Sequence, residues 1–280
     1  MLVTSKEMFE KAVAGHFAVP SANFVDEDSL KAHLAVSEEL NLPIIIAIAE
    51  AHLNAFITLE DAAYYAKYLA EKTTNPVCLH LDHGSSFEVC KKAIDLGFTS
   101  VMIDGSMKPF EENVALTKSV VEYAHEKGVV VEAEIGHVAS NFDKSDPNAI
   151  YTSVEEAKAF AEQTQCDSLA VSIGTAHGFY KGTPVINFER LHELKEAVPC
   201  PLVLHGGSGS GDDNLNRCAT EGIAKVNVYS DFMASAARPV LALENKEAEV
   251  DDYYTIKNAS IDGMKDCLKY CYKLFETKSI

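Results

Sequence analysis

The chain has 280 residues, of which 47% are hydrophobic and 24% are charged, so it can bury a sizeable core. Its 42 acidic and 24 basic side chains give a formal charge of −18, which opposes nucleic acid or an anionic membrane as a partner. It has no run of about 18 apolar residues, no leader-like start and seven cysteines without CxxC spacing, so we expect a cytoplasmic protein with reduced cysteines.

Short β-branched segments alternate with amphipathic helical patterns along the chain. The eight predicted strands cover residues 17–23, 43–49, 76–83, 100–104, 129–136, 168–174, 201–205 and 223–228. Helical periodicity covers residues 29–41, 59–72, 110–128, 153–164 and 188–198. Because long antiparallel hairpins are missing, the pattern predicts an α/β fold, a (β/α)8 TIM barrel. We expect one domain over residues 1–280, with 251–280 as an extra C-terminal helical segment.

Functional groups of such barrels gather at the C-terminal ends of the strands. The polar residues predicted there are Asn23, Glu50, Asp82, His83, Asp104, Glu134, His137, His177, His205 and Asn227. His83, His177 and His205 follow the third, sixth and seventh strands, so their imidazoles can meet across the barrel mouth. Any one of them alone is more simply a buried histidine, but three ligands and an open position are what a catalytic zinc needs. Asp82, beside His83, is predicted to move a proton.

Other ionisable residues are expected to be structural. Strand alternation puts His80 on the same face as Asp82 but deeper in the barrel, where we expect a hydrogen-bonded core histidine. Surface positions on helices or loops are expected for His16, His33, His125 and His192. A Schiff-base reaction would need a lysine inside the barrel, and Lys225 is the candidate, but the sequence shows no device that lowers its pKa.

A glycine-rich segment, VLHGGSGSGDDNL at 203–215, follows the seventh strand. Its glycines let backbone N–H groups converge ahead of a helix expected near Asp212, which is a way to hold phosphate. The eighth strand ends in VNVYSDF, where Ser230 or Asp231 can cap the next helix. Loops after strands seven and eight are the usual phosphate site of this fold. Metal, phosphate loop and carboxylate together predict enediolate chemistry on a phosphorylated carbonyl compound, either carbon–carbon bond cleavage or isomerisation.

Five motifs occur in order: LDHG at 81–84, VEAEIGHV at 131–138, IGTAHGFYKG at 173–182, LHGGSG at 204–209 and KVNVYSD at 225–231. In these motifs the chain resembles the class II, metal-dependent ketose-bisphosphate aldolases, the fructose- and tagatose-bisphosphate aldolase group, over essentially its whole length. The resemblance implies a lyase of carbohydrate metabolism. Such a zinc-dependent aldolase would cleave a ketose 1-phosphate or 1,6-bisphosphate reversibly to dihydroxyacetone phosphate and an aldehyde, through a metal-stabilised enediolate.

The resemblance also implies roles for individual residues. His83, His177 and His205 would bind zinc, and Asp82 would be the acid/base at the bond being broken. Asp104 and Glu134 match positions that hold the metal in an alternative site. The grip on dihydroxyacetone phosphate matches Gly178, Gly206, Gly207, Ser208, Asn227, Val228, Tyr229 and Ser230, and Asn23 joins them as a predicted substrate contact. A monovalent cation, Na⁺ or K⁺, and a homodimer or homotetramer are further implications.

Two positions depart from the family pattern. Its Ser-Glu-Gly after strand two, whose Ser touches the far phosphate, reads Ala49-Glu50-Ala51 here. Its Asp-Pro-Arg near the C-terminal helix, whose Arg grips that phosphate, reads Asp251-Asp252-Tyr253. Each lost charge-assisted hydrogen bond is worth about 1.5 to 3 kcal/mol. The sequence therefore leaves open whether the substrate carries a second phosphate.

Two other functions stay open at this stage. A metal-dependent sugar-phosphate epimerase or isomerase would use the same enediolate and needs a second base, which Glu134 or Glu50 can supply. A non-catalytic subunit of an aldolase complex is the other alternative, although it would not need a carboxylate beside three histidines. Cobalt or manganese could replace zinc, because imidazole binds all of them.

Overall fold

The computed structural model describes residues 2–136, 151–178, 182–243 and 252–280. Eight parallel strands pair in chain order, and β8 closes onto β1 to complete a barrel. The strands are β1 Val19–Asn23, β2 Ile44–Ala49, β3 Val77–Gly84, β4 Ser100–Ile103, β5 Val130–Ile135, β6 Ser168–Val171, β7 Leu202–Leu204 and β8 Ile223–Val228. The predicted (β/α)8 fold is confirmed.

Helices surround the barrel and follow its strands. They are α1 Lys6–Gly15, α2 Glu27–Leu40, α3 Leu59–Ala70, α4 Phe87–Leu96, α5 Phe110–Glu126, α6 Val154–Thr164, α7 Phe188–Ala197, α8 Asp212–Glu221, α9 Ser230–Leu243 and α10 Tyr253–Leu274. Side-chain caps fix several of their starts, as when Asp26 accepts a hydrogen bond from the backbone N–H of Ser29. Among the described residues, no helix has the length and apolar character needed to cross a membrane.

The strands are buried on both faces, as parallel strands covered by helices must be. In β2, Ile44, Ile46 and Ile48 point into the large core between the barrel and its helices. Ile45, one step out of phase, packs instead in a smaller cluster with Met8 and Phe9 of α1. That cluster also contains Val19, the first residue of β1, and Ala224, the second residue of β8, so α1 closes the N-terminal end of the barrel with apolar side chains. Polar chemistry is thereby confined to the opposite end.

The C-terminal helical segment predicted from the sequence is α10, which packs along α9 and α2. Its Tyr272 hydroxyl donates to the backbone carbonyl of Pro43 at 3.0 Å, next to the start of β2. Thr277 donates to the carbonyl of Ala18 at 2.6 Å. These bonds tie the end of the chain to the side of the barrel at β1 and β2.

The surface position expected for His33 is wrong. Its side chain is fully buried, and its ring packs 4.8 Å from the ring of Phe232 on α9. Burial lowers the pKa of His33 to about 3. Leu30 and Leu34 lie on the same buried face of α2, and the helical spacing carries His33 with them. Exposed positions are confirmed for His16, His125 and His192.

Candidate active site

Asp82 and His83 reach the same cavity because β3 contains a β-bulge. Leu81 pairs with Val101 of β4, whereas Gly84 pairs with Ile103, so three steps on β3 match two on β4. His83 itself has a φ of 50°, in the left-handed region that residues other than glycine rarely adopt. Regular alternation would send neighbouring side chains to opposite faces of the strand. The bulge turns His83 to the side of Asp82, and both line one cavity at the barrel mouth.

The three predicted histidines converge at this mouth. The ring centroid of His83 lies 4.6 Å from that of His205 and 5.0 Å from that of His177. One nitrogen from each of the three rings lies within 4.8 Å of the other two. Nε2 of His83 and Nδ1 of His205 are 2.9 Å apart. Three imidazole nitrogens that face one point are a donor set that fits a zinc ion with an open position.

Carboxylates orient two of these rings from behind. Nδ1 of His83 lies 2.8 Å from Oδ2 of Asp104, and Nε2 of His205 lies 2.8 Å from Oε1 of Glu132. A carboxylate on the outer nitrogen fixes the tautomer of an imidazole, so the inner nitrogen keeps its lone pair for a cation. Burial lowers the pKa of His205, which favours this neutral form.

Asp104 and Glu134 form a second group of metal-binding type with His83. One ligand atom from each lies within 4.8 Å of the others. Asp104 is fixed in place because its Oδ1 accepts hydrogen bonds from the backbone N–H and the hydroxyl of Ser106, at 3.0 and 2.7 Å. The two groups share His83, so the mouth offers two adjacent positions for one ion.

Asp82 is held by two amides. The Nδ2 groups of Asn23 and Asn227 donate to its two oxygens, each at 2.9 Å. Burial on its own would raise the pKa of Asp82, but the positive charges of His83 and Lys225 hold it well below its usual range. Asp82 is therefore an ionised carboxylate at neutral pH and can accept a proton.

The side-chain carbonyl oxygens of the same two amides are buried hydrogen-bond acceptors at the cavity. Oδ1 of Asn23 and Oδ1 of Asn227 are buried, and within the described residues neither has a hydrogen-bond partner. Buried polar atoms without partners are rare in folded proteins. Since both residues line the cavity, their carbonyl oxygens are suited to accept hydroxyl hydrogens of a ligand.

A buried polar network forms the floor beneath His205. Oε2 of Glu132 lies 2.7 Å from Nζ of Lys225, which lies 3.1 Å from Nε2 of His80. Nδ1 of His80 bonds the hydroxyl of Ser100 at 2.8 Å, which confirms the expected core histidine. Lys225 is committed to this ion pair and does not line the cavity, so it does not serve a Schiff base. Sequence reasoning missed Glu132, although strand alternation puts it on the face of Glu134.

The glycine-rich loop closely approaches the segment after β6 and the end of β8. A Cβ on Gly206 would lie 2.4 Å from the carbonyl oxygen of Ala176, and one on Gly207 would lie 2.8 Å from that of Asn227. Only glycine fits such approaches, and Gly206 also has a φ of 67°. The predicted phosphate cradle thus packs against the segment that follows β6 and against the C-terminal end of β8.

Of the two helices that the sequence places after this loop and after the eighth strand, α9 meets the loop at the cavity and α8, near Asp212, does not. Ser230, the first residue of α9, lines the cavity together with Ser208. The first turn of α8 carries Asp212 and Asp213 and does not line it. The helix dipole available to an anion is therefore that of α9.

All but one of the predicted site residues line a single cavity of about 390 Å³. Those brought together are Asn23, Asp82, His83, Asp104, Glu134, His177, Gly178, His205, Gly206, Gly207, Ser208, Asn227, Tyr229 and Ser230. Val228 is the exception, because its side chain is buried in the outer core. His137 lies outside the described residues. The volume suits a phosphorylated sugar.

Other sequence candidates lie apart from this cavity. The two carboxylate oxygens of Glu50 accept hydrogen bonds from the backbone N–H and hydroxyl of Ser85, at 2.6 and 3.0 Å. Tyr253 is 72% exposed in a groove between α9 and α10. The wall after β2 is instead made by Ala49, Ala51 and His52, of which sequence reasoning missed His52.

Comparisons with known proteins agree along the whole chain. Residues 3–279 match the family model described as fructose-bisphosphate aldolase class-II. A fructose-bisphosphate aldolase of Staphylococcus aureus strain Mu50 is 40% identical, over 99% of this chain and 98% of that protein. A 6-phospho-5-dehydro-2-deoxy-D-gluconate aldolase of Halalkalibacterium halodurans is 37% identical, over 99% and 96%. The crystal structure of the YdjI aldolase from Escherichia coli K12 superposes with a TM-score of 0.89 at 32% identity, over 99% and 98%.

Proposed function

Since the chain belongs to the class-II fructose-bisphosphate aldolase family, we propose that it cleaves a ketose 1-phosphate or ketose 1,6-bisphosphate reversibly to dihydroxyacetone phosphate and an aldehyde. Membership makes the chain an aldolase, a lyase that acts on the carbon–carbon bonds of phosphorylated sugars. The observation that carries the finer proposal is the convergence of three imidazoles beside an ionised, buried carboxylate.

We propose that His83, His177 and His205 hold one zinc ion per subunit, with Asp104 and Glu134 offering an alternative position. The inner nitrogens of the histidines face one point, and the outer nitrogens of two of them are tied to carboxylates. A zinc ion held there would polarise the ketose carbonyl and stabilise the negative charge of the enediolate.

Asp82 would move the proton at the bond that breaks. In cleavage it would take the proton of the substrate hydroxyl as the carbon–carbon bond breaks, and the enediolate would then gain one proton at carbon to become dihydroxyacetone phosphate. In condensation that carbon loses its proton first, and Asp82 would give its own proton to the new hydroxyl. Its low pKa keeps it ionised, and the amides of Asn23 and Asn227 fix the direction of its oxygens. The side-chain carbonyls of both residues, which have no partner among residues that the structure describes, would accept hydrogen bonds from the sugar hydroxyls.

The dihydroxyacetone phosphate half would lie against the loops after β6, β7 and β8. The N–H of Gly207 donates to the carbonyl of Asn227 at 3.3 Å and braces the loop. Gly206, Gly207 and Ser208, with the start of α9 at Ser230, would form an uncharged cradle for the phosphate. Gly178, Asn227 and Tyr229 complete its walls, and Val228 would contribute through its backbone alone. A monovalent cation, Na⁺ or K⁺, would bind backbone carbonyls nearby, and the assembly would be a homodimer or homotetramer.

Relatives of comparable similarity bear the names of aldolases with different substrates, so family membership leaves the aldehyde half open. An epimerase or isomerase would need a second base across the substrate. Glu50 is turned away to Ser85, which disfavours it in that role and leaves Glu134.

A coupled assay of the zinc-loaded protein tests the proposal. Fructose 1,6-bisphosphate and several ketose 1-phosphates are offered separately, and release of dihydroxyacetone phosphate is followed with a reducing enzyme. We expect stoichiometric dihydroxyacetone phosphate and an aldehyde from at least one ketose 1-phosphate. Formation of a single rearranged sugar would replace the proposal with an epimerase or isomerase. No turnover after zinc addition, with no zinc bound, would favour a non-catalytic subunit.

A further inference from the structure

His52 forms the cavity wall above Asp82. It ends the short 3₁₀ turn Glu50–His52 that follows β2, and Ala49, the last residue of β2, pairs with Asp82 in register. The turn continues beyond that pair, so His52 lies nearer to solvent than Asp82. Two hydrogen bonds from Ser85 to Glu50 hold the turn in place. His52 is therefore a fixed part of the route into the site.

The ring of His52 is oriented by stacking. It lies 4.2 Å from the ring of Tyr229, with 24° between the two planes. Its Nδ1 is buried and has no hydrogen-bond partner in the described part of the chain. His80 and His205 differ, because hydrogen bonds from both of their ring nitrogens are used within the protein. His52 thus has a fixed ring plane and a ring nitrogen whose hydrogen-bonding capacity no described residue uses.

The charges around His52 favour a neutral partner. Within the described residues, no lysine or arginine lines the cavity, whereas Asp82, Asp104 and Glu134 do. Burial lowers the pKa of His52, although the charge of Asp82 opposes this shift. A neutral imidazole exchanges hydrogen bonds with hydroxyl groups and lacks the charge that pairs with a phosphate dianion.

The position of His52 assigns it to one half of the substrate. With the phosphate of dihydroxyacetone phosphate against Gly206 to Ser208, the breaking bond lies at Asp82. The rest of the ketose must then extend from Asp82 toward the opening, where the turn after β2 forms the wall. His52 is the polar side chain that this turn presents to the cavity, because Ala49 and Ala51 flank it.

We propose that His52 is a specificity-determining residue that hydrogen-bonds the aldehyde half of the substrate, and that this half is a neutral hydroxyaldehyde rather than a phosphorylated aldehyde. The proposal rests on the proposed function, since it takes dihydroxyacetone phosphate as the other half.

The test separates the two halves of the reaction in the zinc-loaded protein. Exchange of a C3 proton of dihydroxyacetone phosphate with D₂O, without aldehyde, reports on the first half alone. Condensation with glyceraldehyde, glyceraldehyde 3-phosphate or acetaldehyde reports on both. The variant His52→Phe keeps an aromatic ring for the stack on Tyr229 and removes both nitrogens. His192→Phe is the matched control, because His192 is exposed on α7, outside the cavity.

We expect the wild-type protein to prefer glyceraldehyde to glyceraldehyde 3-phosphate in kcat/KM by about tenfold or more. His52→Phe should lower kcat/KM for glyceraldehyde about tenfold, the effect of a lost hydrogen bond. The loss with acetaldehyde, which has no hydroxyl group, and the loss in proton exchange should each be several times smaller. His192→Phe should match the wild type throughout.

Equal losses with glyceraldehyde and acetaldehyde would overturn the role of His52. A wild-type preference for glyceraldehyde 3-phosphate would overturn the neutral substrate class, while leaving the proposed aldolase intact. Absence of proton exchange in the wild type with zinc bound would instead contradict the proposed function itself, and the role of His52 with it.

Discussion

The floor and the mouth of the barrel use polar residues in opposite ways. On the floor, Lys225, Glu132 and His80 are almost fully buried and bonded to one another. At the mouth, Asn23 and His52 keep buried polar atoms that have no partner among the described residues, beside a cavity of about 390 Å³. Polar side chains that are bonded to one another hold their neighbours in place, whereas unpaired polar atoms beside a cavity can bind a ligand. We therefore expect floor substitutions to change stability and metal binding, and mouth substitutions to change turnover.

The largest effect is expected at the mouth, from Asp82→Asn. The variant removes the proton acceptor while keeping the size of the side chain, so kcat should fall by about 10²- to 10⁴-fold. Zinc content and the far-UV circular dichroism spectrum should match the wild type. Asp95→Asn, at a partly exposed carboxylate on α4, is the control and should retain full turnover. Wild-type kcat in Asp82→Asn would remove the basis of the proposed chemistry.

Glu132 and Glu134, two residues apart on β5, give the sharpest contrast between floor and mouth. Glu132→Leu leaves Lys225 buried without its counter-charge, which should lower the free energy of unfolding by about 3 to 5 kcal/mol. It also frees the outer nitrogen of His205, so zinc affinity should fall about 10- to 100-fold. Glu134→Gln should cost much less stability. Urea denaturation and competition with a chelator measure the two quantities.

A double variant checks the reason for that instability. Replacing both partners, as Glu132→Leu with Lys225→Met, removes the unpaired charge and should recover most of the lost stability. Zinc affinity should stay low, because His205 still lacks its carboxylate. Equal effects of the Glu132 and Glu134 substitutions on unfolding would break the distinction between floor and mouth.

The pH dependence of metal binding reports on the mouth. Burial would lower the pKa of His83, but the charge of Asp82 and the hydrogen bond to Asp104 raise it to about 9 in the metal-free protein. Below that pKa a metal must displace the proton, so zinc affinity should rise about tenfold per pH unit between pH 6.5 and 9. In the metal-free protein, the stability that this shift provides is present below pH 6.5 and is lost as the pH rises through 9.

Competition with a chelator at several pH values measures how zinc affinity changes with pH. Thermal melts of the chelated protein measure how the stability of the metal-free form changes with pH. An affinity independent of pH across this range would contradict the assignment of His83 as a ligand.

The variant Gly84→Ala tests whether the β-bulge in β3 positions His83 at the mouth. The added Cβ would lie 2.7 Å from the carbonyl oxygen of Met102 and 2.8 Å from Sγ of Cys90, so the bulge must shift. We expect a loss of about 1 to 3 kcal/mol in stability and a drop in kcat. Gly128→Ala is the control, since its φ is 71° but no atom of the described residues lies within 4 Å of the new Cβ. It should lose stability alone, and unchanged kcat in Gly84→Ala would show that the bulge does not position His83.

Much of this arrangement could be predicted from the sequence because strand ends of a barrel share one face. Short β-branched segments between helical patterns predict the eight strands and so the polar residues at their ends, and β8 has its predicted bounds. The β-bulge at His83 could not be predicted from the sequence, because it depends on the register between β3 and β4. Two further features depend on packing between distant segments. They are the contact of α9 rather than α8 with the cavity, and the burial of His33 against Phe232. His52 carries no motif, and only the turn after β2 brings it to the cavity.

The central claim, that His83, His177 and His205 share one divalent ion, is tested most directly by X-ray absorption at the zinc edge of the zinc-loaded protein. The account predicts three imidazole nitrogens at about 2.0 to 2.1 Å with the multiple scattering typical of histidine, and loss of one imidazole in His177→Ala. A sulfur ligand near 2.3 Å, or an unchanged spectrum in that variant, would contradict it.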